Sequence, residues 1–124
     1  MYKLALIGIA GLIGTLARYF LSGWADQRFG GLFPIGTVIV NLAGCLLIGF
    51  LFQATEEKYL VDPVIRSAIL GGFLGGFTTF SAYGLQTFSM LRDGLVFLAG
   101  LNLIISNAAG LFLIWAGYVL AKSL

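Results

Sequence analysis

Neutral hydrogen-bond donors are the residues of this sequence that could do chemistry inside its apolar stretches. They are hydroxyl and amide side chains, accompanied by one arginine: Thr37, Asn41, Thr78, Thr79, Ser81, Gln86, Asn102, Ser106, Asn107 and Arg18. No Asp or Glu lies within these apolar stretches. Small proton-coupled multidrug carriers depend on a carboxylate in the membrane, so its absence argues against that class. A donor-rich interior without acids favours an anion over a cation.

Asn41 is the strongest single candidate for contact with such an anion. It follows Thr37 by four residues, which places both on one face of a helix. The Asn41 amide can direct two N–H donors at an anion. The alternative is a hydrogen bond that holds two helices together. The sequence leaves both interpretations open, and the same choice applies to Asn102 and Ser106, which are also four residues apart.

Phe80 and Tyr83 lie three residues apart and predict an aromatic pair on one helix face. The edge of an aromatic ring is electropositive and can stabilise a small anion without a formal charge. Core or lipid-facing packing is the alternative, but the neighbouring glycine-rich segment favours the anion role. Arg18 has two interpretations of equal weight. It is either an anchor near a helix end or an electrostatic attractor at the mouth of a vestibule.

The composition predicts an integral membrane protein rather than a soluble one. Of 124 residues, 60% are hydrophobic and only 10% are charged. The length allows three or four spans of about 20 residues each. A chain this small is not expected to enclose a wide pore alone, which favours a homo-oligomer. The net charge of +2 gives no indication of nucleic-acid binding, and the single Cys45 excludes an internal disulfide. No nucleotide-binding motif or catalytic constellation is visible, so we predict no enzyme.

Hydropathy and turn residues predict one domain over residues 1–124, with spans at about 4–24, 35–54, 63–91 and 95–121. A charged turn, Asp26-Gln27-Arg28, is expected to end the first span. A solvated loop, Glu56-Glu57-Lys58, is expected after the second. Asp62-Pro63 predicts the N-cap and first turn of the third span.

The segment Gly71-Gly72-Phe73-Leu74-Gly75-Gly76-Phe77-Thr78-Thr79-Phe80-Ser81 predicts an interruption of the third span. It is rich in residues that weaken helices, and the span around it is longer than one crossing requires. Freed backbone groups are tolerated at membrane depth only where they line a cavity or bind an ion. We therefore expect this segment to be the working part of a small channel or carrier.

The basic residues are almost evenly divided between the two sides of the predicted bundle. Four spans put both termini on one side, with Lys3, Lys58, Arg66 and Lys122 there and Arg18, Arg28 and Arg92 opposite. Such weak bias is compatible with insertion in both orientations and antiparallel dimers, or with a single topology that is weakly signalled. Charge alone leaves these alternatives open.

Three motifs make the chain resemble the Fluc (CrcB-type) fluoride channels over essentially its whole length. They are Gly11-Leu-Ile-Gly14-Thr-Leu-Ala-Arg18-Tyr19, Gly36-Thr37-Val-Ile-Val-Asn41-Leu-Ala-Gly44, and the segment from Gly71 to Ser81. The resemblance implies an all-α membrane protein with four transmembrane helices and a broken third helix. It also implies an antiparallel dual-topology homodimer with two fluoride pores, in the cell (inner) membrane.

The resemblance also implies roles for particular residues. Asn41 and Phe80 fall on the family's pore asparagine and first pore phenylalanine, and Arg18 on its vestibule arginine. The backbone carbonyls of Gly75 and Thr78 would hold a structural Na⁺ at the dimer interface. The remaining residues that we assign to the fluoride pore are Thr37, Thr79, Ser81, Tyr83 and Ser106.

This chain departs from the family pattern next to that pore. The usual Thr-Thr-Phe-Ser-Thr-Phe-Ser reads Thr78-Thr79-Phe80-Ser81-Ala82-Tyr83-Gly84 here, so the second pore phenylalanine is a tyrosine. Gln86 replaces a common acidic residue, and Leu111 and Trp115 stand where some members have hydroxyl residues.

We therefore expect passive, fluoride-selective export down the electrochemical gradient. The expected partners are the fluoride ion, a second copy of the chain and the lipid bilayer, with no nucleic acid. A small secondary antiporter and a non-conducting or heteromeric partner subunit remain as alternatives.

Overall fold

The computed structural model describes residues 2–58 and 61–124, and these are helical apart from short connections. The first two helices are α1 (Tyr2–Phe29) and α2 (Ile35–Gln53), and α2 continues into a π-helical turn at Ala54–Lys58. Next come α3 (Pro63–Ser67), a π-helical stretch at Ala68–Phe73, α4 (Leu74–Phe77) and α5 (Ser81–Arg92). The chain ends with α6 (Val96–Ile104), a π-helical turn at Ile105–Ala109 and α7 (Gly110–Ser123). No strand occurs within the described ranges.

Four stretches are long and apolar enough to cross a membrane. They are Tyr2–Phe29, Ile35–Glu56, Pro63–Arg92 and Val96–Ser123, named below the first to fourth spans. Large apolar side chains are exposed along all four, for example Phe20, Leu47, Phe88 and Phe112. Such surfaces are costly in water and are suited to contact with lipid or another apolar surface. The predicted all-helical architecture with four membrane spans is confirmed, and the chain is a multi-pass membrane protein.

The first helix is longer than the sequence predicts. The expected turn at Asp26-Gln27-Arg28 is wrong, because α1 continues through these residues to Phe29. The Asp26 carboxylate accepts a hydrogen bond of 2.8 Å from the backbone N–H of Gly36, at the start of α2. The Asp26 side chain therefore bonds across the connection while the Asp26 backbone remains helical. The chain reverses direction at residues 30–34.

The end of the second span also differs from expectation. A loop at Glu56-Glu57-Lys58 is wrong for the backbone, which forms a π-helical turn through Lys58. Arg66 of the third span stabilises this turn. Its Nε donates to Thr55 Oγ1 at 2.9 Å, and its guanidinium lies 4.9 Å from the centre of the Phe52 ring. The end of the second span is thus held against the start of the third span.

The predicted cap of the third span is confirmed, and a glycine turn precedes the fourth span. Asp62 caps the third span, since its carboxylate accepts from the Val64 N–H at 2.7 Å and Pro63 is the first helical residue. Gly94, with φ of 81°, makes the turn into the fourth span. This left-handed conformation is one that glycine adopts without steric cost.

Glycines allow the first and third spans to approach closely. A Cβ on Gly72 would lie 2.7 Å from the Ile7 carbonyl oxygen, and one on Gly76 would lie 2.5 Å from that of Gly11. Small residues at such crossings are typical of membrane helix pairs. Part of the glycine-rich segment therefore provides helix packing, whereas the sequence interpretation gave it only the weakening of a helix.

Candidate functional site

A groove of about 370 Å³ lies between the second, third and fourth spans. Its walls are lined by Asn41, Gly44, Cys45, Ile48, Leu70, Leu74, Gly75, Thr78, Thr79, Phe80, Tyr83, Ser106, Asn107 and Ile114. The groove brings together most of the residues that the sequence assigned to an anion path. Thr37 and Ser81 are not among its lining residues. No acidic residue lines it.

The backbone leaves helical geometry at Thr78, on the wall of this groove. α4 ends at Phe77, Thr78 is extended with φ −89° and ψ 160°, and α5 begins at Ser81. In a continuous helix the Thr79 N–H would donate to the Gly75 carbonyl. Here it donates instead to Asn41 Oδ1, at 2.8 Å. Among the described residues, the carbonyls of Gly75 and Thr78 receive no hydrogen bond.

The Asn41 side chain makes two hydrogen bonds with the backbone of Thr79. Its Oδ1 accepts from the Thr79 N–H, and its Nδ2 donates to the Thr79 carbonyl at 2.9 Å. The interhelical bond, one of two interpretations of Asn41, is therefore present. One N–H of the same amide remains for another acceptor, so the anion role stays a prediction. Thr37 is buried one turn earlier on the same helix.

Phe80 and Tyr83 form the expected aromatic pair, with ring centroids 5.7 Å apart and planes inclined at 55°. Their environments differ sharply: Phe80 is 81% exposed and Tyr83 is 8% exposed. The Tyr83 hydroxyl accepts a hydrogen bond of 3.0 Å from Asn107 Nδ2. Asn107 is one of the neutral donors of the sequence, and no role was predicted for it. The tyrosine at position 83 was the sequence signal for such a partner, because a buried phenolic hydroxyl requires a hydrogen bond.

A chain of polar contacts links the third span to the fourth. Asn102, only 1% exposed, donates to Thr87 Oγ1 at 2.9 Å, and Thr87 Oγ1 donates to the Tyr83 carbonyl at 2.8 Å. The Ser106 hydroxyl donates to Asn102 Oδ1 at 3.2 Å. Asn102 therefore connects helices. Ser106 also lines the groove, and its direct contact with an ion stays a prediction.

Arg18 reaches from the first span to the non-helical part of the third. Its Nε donates to the Gly76 carbonyl at 3.1 Å. That carbonyl lies four residues before Phe80, so the interruption removes its usual helical partner. Arg18 was expected to be a helix-end anchor or a vestibule attractor, and this contact with the Gly76 carbonyl was not predicted from sequence. The guanidinium places a positive charge against the backbone next to Gly75, which lines the groove.

The hydroxyls next to the interruption have separate surroundings. Thr79 Oγ1 accepts from the Ala82 N–H at 3.3 Å and so occupies one free donor at the start of α5. Thr78 Oγ1 donates to the Leu74 carbonyl at 3.1 Å. Ser81 is exposed on the surface of the single chain. Gln86, one turn further along α5, has a buried Oε1 that accepts no hydrogen bond from the described residues.

Comparison with known proteins identifies the family of the chain. The family model described as "CrcB-like protein, Camphor Resistance (CrcB)" matches residues 5–118. Proteins named "Fluoride-specific ion channel FluC" from Citrifermentans bemidjiense and Geobacter sp. (strain M21) are each 43% identical over 124 residues, covering all of both chains. The protein of the same name from Aquifex aeolicus is 42% identical over 120 residues, 95% of each chain. This chain therefore belongs to the CrcB family.

Proposed function

We propose that this chain is a fluoride-selective ion channel that lets F⁻ leave the cytoplasm passively, down its electrochemical gradient. The observation that carries the proposal is the groove, in which neutral donors meet an interruption of the third span and no carboxylate intervenes. Fluoride is small and strongly hydrated, so a pore must replace its water with well-placed donors and still release it. The names of relatives 40–43% identical to this chain support the same conclusion.

The fluoride gradient that drives export arises from the acid–base chemistry of HF. Neutral HF crosses a bilayer and ionises at neutral pH, which traps F⁻ inside a cell. A passive exit in the inner membrane then lowers cytoplasmic fluoride without energy input. The absence of acidic residues along the described groove is consistent with uncoupled movement.

The working unit in this proposal is an antiparallel, dual-topology homodimer with two pores. The groove is open on one side of the single chain, where Phe80 is 81% exposed and Gly75 has no neighbour within 4 Å of an added Cβ. A second copy would close that side and exclude lipid from the ion path. The nearly even division of basic residues between the two sides supports insertion in both orientations.

The break in the third span fits a structural Na⁺ at the interface of such a dimer. The carbonyls of Gly75 and Thr78 receive no hydrogen bond from the described residues, and carbonyl oxygens are suitable ligands for a hard cation. The described residues contain no group of three or more His, Cys, Asp or Glu side chains that could hold an ion instead. Bound there, Na⁺ would neutralise unpaired carbonyl dipoles and join two subunits.

Replacement of Na⁺ by a large organic cation is expected to weaken the dimer. A cation too large to fit between carbonyls leaves the Gly75 and Thr78 oxygens unpaired, so the interface loses its ionic contact. Purified protein exchanged into N-methylglucamine buffer should show a larger monomer fraction and a lower fluoride flux. Return of Na⁺, but not of N-methylglucamine, should restore both. Identical dimer fractions in the two buffers would contradict this role.

The decisive experiment for the function is ion efflux from liposomes that contain only the purified chain. We expect rapid fluoride efflux, negligible chloride efflux, and no dependence of the fluoride rate on an imposed proton gradient. Protein-free liposomes are the control for HF leakage. A rate that follows the proton gradient would identify an antiporter. Folded protein without any ion flux would overturn the proposal and identify a non-conducting or heteromeric subunit.

The aromatic ring of Tyr83 is expected to be required for transport at high fluoride. Tyr83→Ile removes the electropositive ring edge and should lose most of the flux, whereas Tyr83→Phe keeps the ring and should keep transport. The comparison is made by efflux at saturating fluoride from liposomes with equal amounts of dimer. Equal fluxes for the two variants would show that the ring only fills space.

A further inference from the structure

The hydrogen bond between Asn107 and Tyr83 fixes which partner donates. Asn107 Nδ2 lies 2.9 Å from the Leu103 carbonyl oxygen and 3.0 Å from Tyr83 Oη. A carbonyl can only accept, so the Leu103 contact identifies this Asn107 atom as the amide nitrogen. An amide nitrogen can only donate, and the Tyr83 oxygen is therefore the acceptor. The phenolic hydrogen of Tyr83 is left for a different acceptor.

The groove is the place where the Tyr83 hydroxyl hydrogen can meet an acceptor. Both Tyr83 and Asn107 line the groove, and Tyr83 is 8% exposed. The residues described by the structure offer no acceptor for its O–H. Asn107 belongs to the π-helical turn Ile105–Ala109, one of the wide turns that often occur at functional sites. This turn presents the amide to the third span.

We infer that Tyr83 is a specificity-determining hydrogen-bond donor of the ion path and that Asn107 is the residue that positions it. The ligand is a small anion that accepts a strong hydrogen bond, of the class to which fluoride belongs. This inference rests on the proposed function and adds a chemical contact to it. A phenol O–H is a stronger hydrogen-bond donor than an aliphatic hydroxyl, because the ring withdraws electron density from its oxygen. It therefore favours fluoride over chloride, which has lower charge density.

Fluoride dependence of flux tests the inference with four proteins: wild type, Tyr83→Phe, Asn107→Leu and the double variant. Tyr83→Phe should raise the half-saturating fluoride concentration by about tenfold, as expected for loss of one hydrogen bond to a charged group, while maximal flux is kept. Asn107→Leu should raise it similarly, because the freed hydroxyl can then rotate away. In the double variant the second substitution should add nothing. Selectivity for fluoride over chloride should fall in parallel.

Tyr19→Phe is the matched control, since Tyr19 is 69% exposed and lies outside the groove. It should leave the half-saturating concentration unchanged. Should Asn107→Leu fail to assemble, Asn107→Asp replaces it. A carboxylate cannot donate, so the Tyr83 O–H would turn towards it, and the Tyr83→Phe background isolates the effect of its charge.

Two results would overturn the inference while the proposed function stands. One is an unchanged half-saturating concentration in Tyr83→Phe. The other is an equal effect of Asn107→Leu with and without the Tyr83 hydroxyl, which would show that Asn107 only packs helices. Absence of fluoride flux in assembled wild-type protein would instead overturn the channel proposal, and the inference with it.

Discussion

Asn41→Leu is expected to lower fluoride flux by about 100-fold or more while the protein remains assembled. The substitution removes the amide N–H that is left for an ion, and a hydrogen bond to a charged group contributes about 1.5–3 kcal/mol. It also removes both hydrogen bonds that the Asn41 side chain makes with the N–H and the carbonyl of Thr79. Each 1.4 kcal/mol corresponds to about a tenfold change, so the two losses together account for the magnitude.

Efflux from liposomes measures the flux, and size-exclusion chromatography in detergent checks assembly. Thr37→Val is an informative comparison, because Thr37 shares a helix face with Asn41 but does not line the groove. We expect near wild-type flux from it. A loss equal to that of Asn41→Leu would place the ion path along Thr37, as the sequence analysis expected. Undiminished flux in Asn41→Leu would remove Asn41 from the pore.

Gly117→Val is expected to prevent the second and fourth spans from packing. A Cβ at Gly117 would overlap the Leu46 carbonyl, and one at Gly49 would overlap the Ile114 carbonyl. These contacts are with backbone, which cannot rotate away as a side chain can. Overpacking in well-packed interiors commonly costs about 1–3 kcal/mol, and a backbone obstruction lies at the upper end. The yield of folded, monodisperse protein should therefore fall sharply.

Gly100→Val provides the matched control, on the same span as Gly117 but without any atom within 4 Å of its added Cβ. Its yield and thermal midpoint in detergent should stay close to those of the wild type. The interpretation fails if both variants lose stability equally, because helix propensity rather than close approach would then explain the loss.

The features that were predictable from sequence are those set by neighbouring residues. The four spans follow from uninterrupted apolar stretches, and the Asp62 cap follows from a residue two positions before its partner Val64. The end of α1 was not predictable in this way. Asp26 has its partner ten residues later, across the connection, so a local pattern showed only a charged segment.

The candidate site shows the same division. Asn41 and Phe80 were identified through motifs, and both line the groove. Helical spacing also grouped Thr37 with Asn41. Four residues, or about 6 Å of helix rise, separate them along the axis, and Thr37 falls outside the groove. The contacts of Asn107 with Tyr83 and of Arg18 with Gly76 join residues 24 and 58 positions apart. Only the fold reveals such pairs.

The hydrogen bonds between Asn41 and the Thr79 backbone have a consequence for biosynthesis. Translation produces the first two spans before the third, so Arg18 and Asn41 are synthesised before the backbone groups of Gly76 and Thr79 with which they bond. Backbone groups of Gly76 and Thr79 that lack a partner within their own helix can therefore form hydrogen bonds with these earlier side chains directly. The order of the genetic message thus supplies each polar partner before the backbone that needs it enters the bilayer.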